Sequence, residues 1–264
     1  MHPPLPLERI SAVTADAQGD IYVLHRPAHG NPVVVLDAKG NLLRSWGKGM
    51  FKIPHGIRID PGGNVWTVDA NTSMVYQFTP EGQLLLAISV GDVPTPCRDF
   101  CGATDVAFAP SGHVLVSDGY RNARVIEYDD GGSKVREWGK RGSGPGEFHV
   151  VHAIAVGPQG NVYVADHENG RLQWFDPQGQ FLGQWTYGGQ LFTVAFSPAG
   201  DLYVSTHPRG VPWDTEFNVL KLDPASGTML GRVEVPAHEL AIAPDGALLP
   251  ATLSSQLLVL RLRP

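Results

Sequence analysis

Three histidines stand at one place in a recurring stretch of sequence, and three imidazoles meeting at a point make a metal site. They are His55 in I-P-H-G-I-R-I-D-P-G-G-N, His152 in V-H-A-I-A-V-G-P-Q-G-N and His238 in P-A-H-E-L-A-I-A-P-D-G. Each lies eight residues before a turn glycine: Gly63, Gly160 and Gly246. The same offset in three further copies of the stretch finds Ser11, Thr104 and Phe192, so histidine holds every second copy. One such histidine alone reads as a strand-entry residue bonded to nearby backbone. Three in alternating register, drawn from only 10 in the chain, read as ligands. Three imidazoles suit Zn²⁺, with Zn–N near ~2.0–2.1 Å and a fourth position open, the mark of a catalytic ion.

The elements that must position them follow from the repeat. The pattern apolar-x-apolar-x-P-x-G recurs around Gly19, Gly63, Gly112, Gly160, Gly200 and Gly246, at intervals of 44, 49, 48, 40 and 46 residues. Each copy reads as strand, glycine turn, strand, as in I-R-I-D-P-G-G-N-V-W-T-V. A third strand follows (M-V-Y-Q-F, A-R-V-I-E-Y, R-L-Q-W-F), then a second turn and a fourth strand, as in D-P-Q-G-Q-F-L-G-Q-W. No helical periodicity interrupts them. The expected fold is all-β, a six-bladed β-propeller of four antiparallel strands per blade, in one domain over residues 1–264. Alternate blades of such a ring are related by about a third of a turn, which lets the histidines converge on its axis. How the ring closes stays open: the run L-L-V-L-R-L can end the last blade alone, or an N-terminal strand can pair beside it.

Bulk properties exclude some functions. The formal charge is −6 with no long run of one sign, which argues against nucleic-acid and membrane-surface partners. No apolar stretch is long enough to span a bilayer. The start M-H-P-P-L-P-L-E-R-I lacks the regions of a signal peptide, so either the protein stays in the cytoplasm or the sequence begins after a removed leader. Cys97 and Cys101 either close the small loop C-R-D-F-C or are two ordinary thiols. A monomer acting on a small molecule or peptide is expected.

The exit of each second strand lies on the same propeller face as the entry of the first. Those exits carry His25-Arg26, Asp69, Asp118-Gly119-Tyr120, Asp166-His167 and Thr206-His207. Arg26, Tyr120, His167 and His207 are therefore expected around the mouth above the metal. Arginine there can bind a carboxylate, and a tyrosine near Zn²⁺ can act as a base; Arg26 can equally salt-bridge and Tyr120 simply pack. Asp69, Asp118 and Asp166 are expected to bind backbone amides of the following turn. His113 is expected to face solvent, His149 to point elsewhere, and His2 and His29 to lie in loops.

With these residues in place, nearly the whole chain resembles the peptidyl-α-hydroxyglycine α-amidating lyases, and V-H-A-I-A-V-G-P-Q-G-N-V-Y-V-A-D-H-E-N-G-R-L-Q-W-F resembles an NHL repeat. The strongest pieces are I-P-H-G-I-R-I-D-P-G-G-N-V-W-T-V-D, C-G-A-T-D-V-A-F and V-S-D-G-Y-R-N-A-R-V. The resemblance implies zinc on His55, His152 and His238, Arg26 and Tyr120 as catalytic residues, and cleavage of a peptidyl-α-hydroxyglycine to a peptide amide and glyoxylate. It also implies a structural calcium, held by the carbonyls of Val13 and Ile57 and by Glu239, where the family has aspartate. Three departures stand out. Pro236 replaces a pocket methionine, and His167 replaces an arginine. Both family disulfides are missing, because Arg121 stands where Cys101 would find its partner and Tyr163 and Trp174 stand in place of the second pair; that loss fits a non-secreted protein. Competing readings are a propeller metalloenzyme, hydrolase or lyase, with a different small substrate, and a metal-free NHL-type binding module.

Overall fold

The computed structural model describes residues 6–91, 97–212 and 217–261; His2 lies outside them. Every regular element among them is a strand. The first blade is built from Ala12–Ala15, Ile21–Leu24, Val33–Leu36 and Leu42–Trp46, and the second from Pro54–Ile59, Val65–Asp69, Met74–Phe78 and Leu84–Ser89. The third comprises Asp105–Phe108, Val114–Asp118, Arg124–Tyr128 and Lys134–Trp138. Val151–Val156, Val162–Asp166, Arg171–Phe175 and Phe181–Thr186 form the fourth. Gln190–Phe196, Leu202–His207, Asn218–Leu222 and Met229–Glu234 form the fifth. Each is an antiparallel meander, and the first strands stand side by side around a central channel.

The sixth copy corrects the expected count. It forms only the two-stranded sheet Glu239–Ile242 and Leu248–Ala251, so this is a propeller of five four-stranded blades and not six. The cause is local. Leu248 exchanges both backbone hydrogen bonds with Leu260, as an isolated bridge. The next donor facing that outer segment would be residue 250, a proline with no N–H, and the ladder stops. Closure comes from the first copy instead: Ile10 exchanges backbone bonds with Ser254 and Leu253. Leu7, Ile10, Leu249 and Leu257 bury one apolar cluster across that seam.

Burial follows position in the blade. The second strands are wholly buried, because neighbouring blades cover both faces, while outer strands such as Phe181–Thr186 alternate half-buried and exposed. Some of the turns are Asx turns: Asp16 Oδ1 accepts from the amides of Gln18 and Asp20, and Asp60 Oδ1 from Asn64. A residue in the left-handed region closes each, as Gly63 does at φ 88°.

Bulges aim the channel side chains. Pairing slips between Pro54 and Ile57 and between Val151 and Ala153. A strand alternates faces, so without the extra residue a side chain and its successor could not both point at the axis. The turn before Tyr120 fits tightly against the strand that carries His152: a Cβ on Gly119 would stand 1.8 Å from the Val151 carbonyl oxygen. Gly119→Ala should therefore destabilise the protein by roughly 1–3 kcal/mol through forced backbone movement and weaken metal retention. Gly231→Ala, with open space around it, should change neither in thermal unfolding or metal titration.

Candidate metal centre and active site

His55, His152 and His238 converge, as the repeat predicts. Their ring centroids are 5.1, 5.0 and 4.9 Å apart pairwise, and all three are buried. Each ring is pinned through Nδ1 to a backbone carbonyl on the inner-strand register of the following copy. His55 bonds Thr104 O at 2.7 Å, His152 bonds Phe192 O at 2.7 Å, and His238 bonds Ser11 O at 3.3 Å. A carbonyl can only accept, so Nδ1 carries the proton and Nε2 is left bare, the form a metal needs. Burial keeps the rings neutral. It holds His55 well below the ordinary imidazole value, helped by His238 and Arg26, and His152 likewise, helped by His238 and His55. Burial, then Arg26, brings His238 down to about 3.

Tyr120 stands over this triangle. Its hydroxyl donates to His55 Nε2 at 2.7 Å and lies 3.4 Å from His152 Nε2. Burial pushes the phenol up and Arg26 opposes it. Arg26 is held by its Nε, which donates to Pro54 O at 2.9 Å, while its buried Nη2 has no hydrogen-bond partner. Burial lowers its guanidinium to about 10, against the pull of Tyr120.

His167 reaches the site, stacked on His152 with centroids 5.3 Å apart. Its Nδ1 lies 3.3 Å from Glu168 Oε1, and its Nε2 has no hydrogen-bond partner. His207 does not reach the triangle. Its Nε2 bonds Pro212 O at 3.1 Å, and its ring packs on Phe217 and Phe192, the latter lying between it and His152.

Two residues of the wall went unread in the sequence. Phe192, the apolar occupant of the histidine register in the fifth blade, packs on His152, His167 and His238. Phe100 packs on Tyr120 at 4.9 Å, under the guanidinium of Arg26 at 5.3 Å. A disulfide between Cys97 and Cys101 closes the loop that carries Phe100.

The remaining polar residues sort as follows. Asp69 binds the amides of Asn71 and Thr72, as expected. Asp118 binds the side chains of Asn122 and Arg124, and Asp166 those of Asn169 and Arg171 together with the amide of His149. His113 does not simply face water: its Nδ1 pairs with Glu127 at 2.6 Å.

The calcium expectation does not fit. The Ile57 carbonyl accepts from Arg58 Nη1 at 3.3 Å, and Glu239 pairs with Arg58 Nη2 at 3.1 Å, so two of the implied ligands already hold a cation. Val13 sits in the first blade's inner strand, paired with Val23. A funnel of about 790 Å³ opens at the far ends of the inner strands, lined by Phe108, Val156, Phe196 and Ile242. It lies away from the histidines, and Arg58 forms part of its floor.

Comparison with known proteins agrees with this geometry. The model of the NHL repeat matches residues 148–175. Peptidyl-glycine alpha-amidating monooxygenase A of Xenopus laevis is 32% identical over 83% of this chain and 26% of that protein. Peptidyl-alpha-hydroxyglycine alpha-amidating lyase 1 of Drosophila melanogaster is 32% identical over 76% of this chain and 45% of that protein. The chain thus spans about a quarter of the first and under half of the second. Among solved structures, a streptogramin B lyase superposes with a TM-score of 0.65 at 12% identity, covering 95% of this chain and 93% of that one. Virginiamycin B lyase from Staphylococcus aureus gives 0.65 at 13%, over 98% of each; likenesses so distant in sequence speak for the fold alone. By its sequence relatives and its repeat, the chain belongs with the peptidyl-α-hydroxyglycine α-amidating lyases of the NHL-repeat family.

Proposed function

We propose that the protein is a zinc-dependent lyase that cleaves the C–N bond of a peptidyl-α-hydroxyglycine, releasing a peptide amide and glyoxylate. One observation carries this reading. Three bare Nε2 atoms face one another, with the Tyr120 hydroxyl in hydrogen-bond reach of two of them. A zinc ion on His55, His152 and His238 would supply Lewis acidity to a substrate hydroxyl offered to its open position.

The chain's own residues do the rest. Tyr120, as tyrosinate, takes the proton from the substrate hydroxyl. The oxygen's electron pair forms the aldehyde C=O of glyoxylate, the C–N bond breaks, and the amide nitrogen receives the proton back from Tyr120. Burial alone would keep Tyr120 a phenol, and Arg26 is the chain's cation that opposes this. The unpartnered Arg26 Nη2 and His167 Nε2 are the donors offered to the substrate carboxylate. Phe100 and Phe192 keep water from the reacting atoms, and His207 serves only as outer wall.

Glyoxylate release from α-hydroxyhippurate should require zinc and vanish from chelator-stripped protein; zinc-loaded protein that releases none contradicts the proposal. Tyr120→Phe should lower kcat by ~10²–10⁴-fold with zinc content unchanged.

The stripped protein should also report its buried imidazoles through pH. Their folded pKa values lie below the ordinary 6.5, so below 6.5 the unfolded chain binds protons that the folded chain refuses. Stability in urea should be flat with respect to these groups above pH 6.5. It should fall toward pH 3 by up to about 1.4 kcal/mol per pH unit per histidine, and His238→Gln should shallow that slope.

A further inference from the structure

Five residues before each turn glycine, the inner strands carry Thr14, Arg58, Ala107, Ala155, Ala195 and Ala241, all facing the funnel. Four alanines and a threonine leave room at the axis, and one long side chain fills it. Seven residues before the glycines stand Ala12, Gly56, Asp105, Ala153, Thr193 and Glu239. The two carboxylates belong to the third and sixth copies, opposite each other across the ring, and both are fully buried. Arg58 reaches out from the second copy to join them. Its Nη2 lies 2.7 Å from Asp105 Oδ2 and 3.1 Å from Glu239 Oε2, and its Nη1 donates to the Ile57 carbonyl at 3.3 Å. The amide of Val106 donates to Asp105 Oδ1 and the Thr193 hydroxyl to Glu239 Oε2, while Glu239 Oε1 is buried without a hydrogen-bond partner.

We propose that the Arg58 guanidinium is the axial cation of this propeller, built into the chain at the place where its relatives' resemblance implies calcium, and that the protein folds and holds its histidine triangle without calcium. Calcium needs six to eight oxygens at about 2.3–2.6 Å. Here the Ile57 carbonyl and Glu239 Oε2, two of the implied ligands, instead contact a planar group whose charge is permanent and whose donors are spread like a fork. The guanidinium therefore ties blade two to blade three and to the closing sheet without depending on ion supply. The proposal rests on the lyase-family reading only for the expectation of calcium. Its test reads metal content and stability, not turnover, so either idea can fail alone.

Protein purified in millimolar calcium and then desalted is analysed for bound calcium, and its thermal unfolding is followed with calcium chloride and with EGTA. Wild type should hold well under one calcium per chain, with a melting temperature that neither addition moves. Arg58→Ala leaves two buried carboxylates unopposed, and should melt lower by on the order of 10 °C. Millimolar calcium should restore a saturable part of that loss, and Arg58→Ala/Glu239→Ala should lose the response. Arg58→Lys keeps the charge and should show a smaller loss with no calcium response, which preserves the test should the alanine variant not fold. Stoichiometric calcium in wild type, a fall in its melting temperature with EGTA, or a folded Arg58→Ala that ignores calcium would each overturn the proposal.

Discussion

The hydrogen bonds from histidine Nδ1 to the inner strand of the next copy are the constraint on which the site depends. Each crosses a blade boundary: second to third, fourth to fifth, last to first. Each fixes both the tautomer and the tilt of a ring, so Nε2 is bare and aimed before any ligand arrives. The His238 bond to Ser11 also spans the seam where the chain closes on itself. Ring closure and the shape of the histidine triangle are therefore one event, and an ion held there would stabilise the seam as well as the site.

Electrostatics divide the channel into two tiers. The upper one is neutral: three buried imidazoles and a phenol, with Arg26 as the nearby cation. Desolvation dominates there, keeping the imidazoles unprotonated and resisting tyrosinate until a positive charge is near. The lower tier is charged and internally matched, with Arg58 between two buried carboxylates. Burial raises both carboxyls, Glu239 well above the usual range, and Arg58 pulls each of them back. Such buried pairs add little net stability, yet losing one partner is costly.

Much of this was legible in residue order, because a repeat turns spacing into position. Counting from the turn glycines located the three converging histidines without any structure, and the same count, taken three residues further along, would have exposed Arg58 among alanines. The count of blades was misread because Leu240–Ile242 and Leu248–Ala251 keep the hairpin pattern, while the stop depends on which way one missing N–H, that of Pro250, would have pointed. Phe100 and Phe192 escaped because apolar rings at a metal site carry no chemical signature of their own. Asp118 and Asp166 look like Asp69 in sequence, but each also pairs with an arginine six or five residues on, Arg124 and Arg171.

The most direct test of the central claim is X-ray absorption at the zinc edge on protein carrying one equivalent of zinc, alongside zinc affinity for the single alanine variants of His55, His152 and His238. The account predicts three imidazole nitrogens and one light-atom ligand at about 2.0–2.1 Å, and loss of tight binding in every variant. A zinc coordinated by fewer than three imidazoles, or tight binding that survives any one substitution, would contradict it.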